Sequence, residues 1–136
     1  MLDGVDAGHA LREQLRALLR AWEGGVIDEA EVRDTAEQLD FKWEAWRQLD
    51  RLPLGTEPPA LLATVDILGV LSSLHLELAT RADIPKMLEC LNLIDDDPAE
   101  ARGRWAAYFD AVDWESRERE LADDPFYWVV DVRRTR

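Results

Sequence analysis

The chain has 136 residues, 47% of them apolar, and a formal net charge of -13. A chain of this length suits one domain with one sizeable core, and so high an apolar fraction excludes an intrinsically disordered protein despite the charge. The acidic balance repels nucleic acid and anionic lipid, so we expect neither as a partner. We predict a single domain over residues 1–136, with residues 1–8 flexible and residues 126–136 as an extended tail.

The cysteine content and the apolar stretches indicate where in the cell the protein is located. The longest apolar stretch, residues 61–78, is interrupted by charged residues and histidine, which is typical of a buried helix and not of a membrane span. The N-terminus lacks the basic region and apolar run of a signal peptide. Cys90 alone excludes an intramolecular disulfide. Only two of the 16 basic residues are lysines, a ratio typical of a GC-rich genome because arginine codons are GC-rich, and we predict a cytoplasmic bacterial protein.

The first two helices follow from apolar spacing and breakers. The pattern predicts a helix over residues 9–22 that the Gly24-Gly25 pair ends. Asp28 is the candidate N-cap of a second helix, with Glu31 at the capping-box position, and this helix should run to Leu49. A breaker-rich loop over residues 52–59 follows.

The third helix, predicted over residues 60–79, is apolar around almost its whole circumference. Asp66, Ser73 and Glu77 form the one narrow polar stripe, within about 40° of each other at 100° per residue. A helix with so thin a polar edge is surrounded by others, so we place it at the centre of the fold. The same arithmetic places His75 about 180° from the stripe, on the most buried face.

Capping signals predict the remaining helices. Asp83 is the expected N-cap of a fourth helix that has proline in its first turn. Asp97, followed by proline and then Glu100, starts a fifth helix that extends to Val112. A shorter helix holding Trp114 follows. The sequence therefore predicts an all-α bundle of five to six helices with a buried central helix and an extended C-terminal tail.

The apolar period changes to two in the C-terminal segment, residues 126–132, which is typical of a strand. A lone strand in a helical chain has no ladder partner. The segment therefore lies as a strap over the bundle, pairs with a second copy, or receives another protein's edge. We favour the strap, because C-terminal segments often dock on their own domain.

Few residues suggest chemistry. His75 is a candidate general base or metal ligand; the structural alternative is a neutral imidazole hydrogen-bonded to a backbone carbonyl, Thr64 or Ser72. We favour the structural role, since a metal site needs several convergent ligands and the other histidine, His9, is near the N-terminus. The chain lacks a phosphate loop and a dinucleotide fingerprint, and Cys90 has no activating neighbour. We predict no catalytic residue, no cofactor and no metal.

Acidic side chains concentrate in the second half: residues 83–131 hold fourteen acidic and five basic residues. Such a surface speeds association with a basic protein, although for any single run of charges we favour solubility alone as its role. The candidate partner contacts are the acidic Asp95, Asp96, Glu100, Asp123 and Asp124 and the aromatic Phe126, Tyr127 and Trp128.

These features favour a binding protein over an enzyme. The concrete hypothesis is an inhibitor or immunity-type protein whose carboxylates cover a basic partner. The alternative is a structural or self-associating accessory protein, a homodimer formed through tryptophan-rich surfaces and the tail. An enzyme or metal site around His75 ranks third.

Overall fold

The structure, a computed structural model, describes residues 4–49 and 59–128. Within these ranges it contains no strand, which confirms the all-α class. The helices are α1 (Gly4–Glu23), α2 (Glu29–Leu49), α3 (Pro59–Ser72), α4 (Leu74–Glu77), α5 (Ile84–Ile94), α6 (Pro98–Asp110) and α7 (Trp114–Leu121), and a short 3-10 helix, Arg81–Asp83, precedes α5.

Local signals set the ends of α1 and α2. The α1 helix begins earlier than expected, so residues 4–8, predicted to be flexible, belong to it. It ends where Gly25 adopts a left-handed φ of 75°, while the Val26 N–H donates to the Ala21 carbonyl, a bonding pattern that glycine permits at helix ends. Asp28 and Glu31 form the expected reciprocal capping box, with each side chain accepting the other's backbone N–H.

The α3 helix lies at the centre of the bundle, packed against α1, α2, α5 and α6, as predicted. Its inward residues are almost fully excluded from solvent; Leu68 and Leu71 have no exposed surface. The neighbouring helices contribute the rest of the core, which includes Leu15, Leu19, Trp22, Val32, Ala36, Ile84, Met87, Leu91, Ile94, Ala101 and Trp105.

The prediction of one continuous helix over residues 60–79 is wrong. Ser73 adopts non-helical angles (φ −119°, ψ 33°) and separates α3 from α4, while the Ser72 hydroxyl donates to the Gly69 carbonyl. Serine side chains compete with the backbone for hydrogen bonds and so weaken a helix interior. The α4 helix then ends after one turn at Leu78, whose φ of 56° is left-handed. This break raises the number of α-helices to seven in the described residues.

The described part of the tail, residues 126–128, docks on the α4 segment without forming a strand. The Tyr127 hydroxyl donates to the Ala79 carbonyl at 2.6 Å, and the Trp128 N–H donates to the His75 carbonyl at 3.0 Å. These bonds are those of a strap, as favoured from the sequence. Residues 129–132, the remainder of the predicted strand, lie outside the described residues.

Candidate functional site

Asp95, one of the candidate partner contacts, lies in an internal ion pair. Its Oδ1 accepts a hydrogen bond from Arg12 Nη2 at 2.7 Å, and its Oδ2 lies 3.6 Å from Arg16 Nη2. The Arg12 side chain is only 4% exposed and also donates to Thr64 Oγ1. A buried guanidinium needs such a partner, because an unpaired buried charge is strongly destabilising. Asp95 therefore joins the end of α5 to α1.

The other four acidic candidates occupy two places in the chain. Glu100 accepts a hydrogen bond from Arg104 one helical turn later, while Asp96 is exposed at the junction of α5 and α6. Asp123 and Asp124 follow α7, and the Asp124 carboxylate accepts the backbone N–H of Phe126. Asp124 thus shapes the turn into the tail, and Asp96 remains the most available of the three acidic candidates at the α5–α6 junction.

The three aromatic candidates differ in exposure. Tyr127 is buried, Phe126 is half-buried and Trp128 is 64% exposed. Burial raises the pKa of Tyr127 above its ordinary value, with the carboxylate of Glu29 adding to the effect. Of the three, only Trp128 presents a large apolar surface to a partner in this arrangement.

His75 is buried, as predicted, and lies beneath the tail. Its ring meets those of Trp128 and Phe126 edge to face, with centroids 4.8 and 6.0 Å away. Among the described residues its Nδ1 has no hydrogen-bond partner, and the Thr64 and Ser72 hydroxyls donate to the Ala60 and Gly69 carbonyls instead. The part of the chain that the structure describes has no group of three or more potential metal ligands.

Sequence reasoning missed a buried polar cluster around Asp83. This side chain is fully buried, and its carboxylate accepts hydrogen bonds from Tyr108 Oη at 2.6 Å and from Arg117 Nη1 and Nη2 at 2.8 and 3.1 Å. It also accepts the Thr80 N–H, in a capping box of the 3-10 helix. Asp83 does occupy the predicted N-cap position of α5, but its side chain makes no capping hydrogen bond to that helix. A Thr80-x-x-Asp83 pattern is a capping-box signal and indicated this earlier start.

The Asp83 cluster is formed by Thr80, Asp83, Tyr108 and Arg117, and the pKa values of Tyr108 and Arg117 lie above their ordinary values. Burial, followed by the hydrogen bond to Asp83, raises the pKa of Tyr108 to about 12. Burial lowers the pKa of Arg117, but the hydrogen bonds and charge of Asp83 more than offset this, so it lies above the ordinary value. Neither Tyr108 nor Arg117 therefore changes its protonation state near neutral pH. The cluster is therefore suited to holding α7 in place and not to acid–base catalysis.

Arg117 also positions a surface groove. Its Nη1 donates to the Leu78 carbonyl at 2.9 Å, which fixes α7 beside the turn that ends α4. Between these two elements lies a groove of about 340 Å³, which we call the α4–α7 groove. It is lined by the apolar side chains of Leu76, Leu78, Phe109 and Trp114 and by the carboxylates of Glu77, Asp110 and Glu118.

Comparison of the chain with protein-family models, with curated proteins and with solved structures finds no match. In residues 4–49 and 59–128, no helix is both long and apolar enough to cross a membrane.

Internal pairing divides the carboxylates into two groups. Many are neutralised within the chain: those of Glu13, Asp34, Glu44, Asp66, Asp83, Glu89, Asp95, Glu100 and Glu115 form ion pairs with arginine or lysine. By contrast, the three carboxylates of the α4–α7 groove have no ion-pair partner among the described residues. Three of the carboxylates that remain available to another molecule therefore lie around one apolar surface.

Proposed function

We propose that this chain is an acidic, helical protein-binding module of the bacterial cytoplasm, an inhibitor or immunity-type protein for a basic protein partner. The observation that carries the proposal is the unpaired charge of Glu77, Asp110 and Glu118 around the α4–α7 groove, in a chain of net charge -13. Unpaired carboxylates on one surface attract a positively charged protein and orient its approach.

The buried polar groups support a binding role over a catalytic one. The Asp83–Arg117 and Arg12–Asp95 pairs each join separate helices, so their chemistry is used for structure. Cys90 is buried, and burial raises the pKa of its thiol, which disfavours the reactive thiolate. A thiol kept inert and unpaired in this way is compatible with a reducing compartment.

A self-associating accessory protein is the second candidate, and exposed aromatic side chains favour it. Phe41 on α2 is 77% exposed and Trp128 is 64% exposed. Large apolar side chains on a surface often mark a contact with another protein chain, including a second copy. In this alternative the acidic surface serves only to prevent aggregation.

Association measurements separate the two candidates. The chain itself should be immobilised as bait to isolate binding proteins from a lysate of the organism that encodes it. Each candidate partner should then be purified and mixed with the chain. We expect a complex with one basic protein whose association rate falls several-fold as salt screens the charges. Light scattering of the chain alone should give a monomer. A concentration-dependent dimer, together with no complex among the purified candidates, would support the accessory protein.

A further inference from the structure

We propose that the α4–α7 groove binds a basic-apolar segment of a protein partner, in which an arginine or lysine lies next to a leucine-like side chain. This inference rests on the proposed function and assigns its contact surface. The groove differs from the acidic residues favoured from the sequence, because it joins unpaired charge to an apolar surface.

The apolar part of the groove provides a binding surface for one side chain of the partner. Leu76 is 53% exposed, although it is a large apolar residue. Phe109 and Trp114 are half-buried, and their rings meet edge to face with centroids 4.7 Å apart. Covering such a surface with an apolar side chain removes both from water, which is favourable in proportion to the area buried.

The charged part of the groove comes from three different helices. Glu77 ends α4, Asp110 ends α6 and Glu118 lies on α7. The nearby Arg117 does not neutralise them, since its guanidinium is directed to Asp83 and to the Leu78 carbonyl. An incoming cationic side chain therefore meets carboxylates that lack an internal partner, and charge complementarity selects a basic occupant.

The groove is held in shape before a partner arrives. Arg117 links α7 to Leu78 and Asp83, and its guanidinium also lies over the Trp114 ring at 5.6 Å from the centroid. A site that is already ordered loses less conformational entropy on binding. Its volume of about 340 Å³ lies near the lower limit for ligand sites and suits one or two side chains of a protein segment.

Three short synthetic peptides test the proposal against the wild-type chain. One alternates arginine and leucine, one alternates arginine and serine at the same charge, and one alternates leucine and serine. We expect the arginine–leucine peptide to bind about tenfold more tightly than either of the others, because only it uses both parts of the groove. Its addition should shift the indole N–H resonance of Trp114, assigned with a Trp114→Phe variant.

Two variants of equal charge locate the peptide. Replacing the groove carboxylates (Glu77→Gln, Asp110→Asn, Glu118→Gln) should weaken binding of the arginine–leucine peptide about tenfold, since each exposed ion pair contributes a fraction of a kcal/mol. The matched control replaces three other carboxylates that have no ion-pair partner among the described residues (Glu23→Gln, Glu37→Gln, Asp40→Asn), and should weaken it less than about twofold.

A third variant, Leu76→Ser, changes an exposed residue and so should leave folding intact. It should weaken the arginine–leucine peptide and leave the arginine–serine peptide unaffected. Circular dichroism should confirm the fold of every variant, and if the triple groove variant unfolds, Leu76→Ser and the Trp114 resonance decide the result.

Other outcomes would overturn the groove assignment. Equal losses of affinity for the arginine–leucine peptide in the two triple variants would indicate non-specific charge attraction. A loss of affinity confined to the control variant would place the contact elsewhere. A Trp114 resonance that shifts with protein concentration alone would assign the groove to a second copy. In each case a salt-sensitive complex with a purified basic partner would leave the proposed function standing, whereas absence of any such complex would refute the function itself.

Discussion

Asp83 connects segments that are distant in the sequence. Its carboxylate bonds to Thr80, the N-cap of the 3-10 helix, to Tyr108 near the end of α6 and to Arg117 on α7. The Arg117 side chain is only 11% exposed, so the pair is largely removed from water. Because α7 has no buried residue of its own, these bonds are a principal attachment of that helix to the bundle.

Removing the charge of Asp83 should therefore destabilise the fold. We expect Asp83→Asn to lower the free energy of unfolding by about 3 to 5 kcal/mol, because Arg117 keeps its charge in a buried position without a carboxylate. Urea denaturation measures this change. Asp66→Asn is the matched control, since both side chains of the Asp66–Arg102 pair are substantially exposed. This control should lower the free energy of unfolding by less than about 1 kcal/mol. Similar losses in both variants would contradict the structural role of Asp83.

Tyr108 should make the fold sensitive to alkaline pH. Its pKa is raised from 10 to about 12 in the folded chain, so the folded state favours the neutral phenol. The resulting stability is complete below pH 10 and is lost as the pH rises towards 12. In Tyr108→Phe, the free energy of unfolding should fall less steeply across this range, although Tyr127 retains its own contribution. Denaturation at several pH values checks this, and an unchanged slope would contradict it.

At the scale of elements, replacing a leucine by alanine should reduce stability strongly in the core of α3 and hardly at all on the surface of α4. Leu71 is fully buried at the centre of the bundle, whereas Leu76, one turn beyond the break at Ser73, is 53% exposed. We expect Leu71→Ala to lower the free energy of unfolding by about 2 to 5 kcal/mol through a core cavity. Leu76→Ala should change it by less than about 0.5 kcal/mol. Chemical denaturation of both variants measures the difference.

Helix starts proved predictable where the signal is local. Asp28 and Asp97 cap their helices through backbone groups three residues away, and both caps are confirmed. Asp83 carries the same local signal for α5, yet its carboxylate is used by Tyr108 and Arg117, which follow 25 and 34 positions later. A contact of that separation depends on how the helices pack. The sequence pattern alone contains no sign of it.

The α4–α7 groove was likewise beyond prediction from the sequence. Its position depends on the break at Ser73 and on the Arg117 bond to the Leu78 carbonyl, neither of which periodicity indicates. Counting charges identified an acidic second half, but it could not tell the internally paired Asp95 and Glu100 from the carboxylates around the groove. Pairing is a property of the folded chain.

For the whole molecule, the bond between Arg12 and Asp95 has a consequence for synthesis. The two residues are 83 positions apart, so a growing chain makes α1 long before the ribosome releases the carboxylate that its buried guanidinium requires. Until α5 has emerged from the exit tunnel, α1 can pack against α2 and α3, but its contact with α5 cannot form. The bond between Arg12 and Asp95 should therefore form late in synthesis, after α2 and α3 are already available to pack against α1.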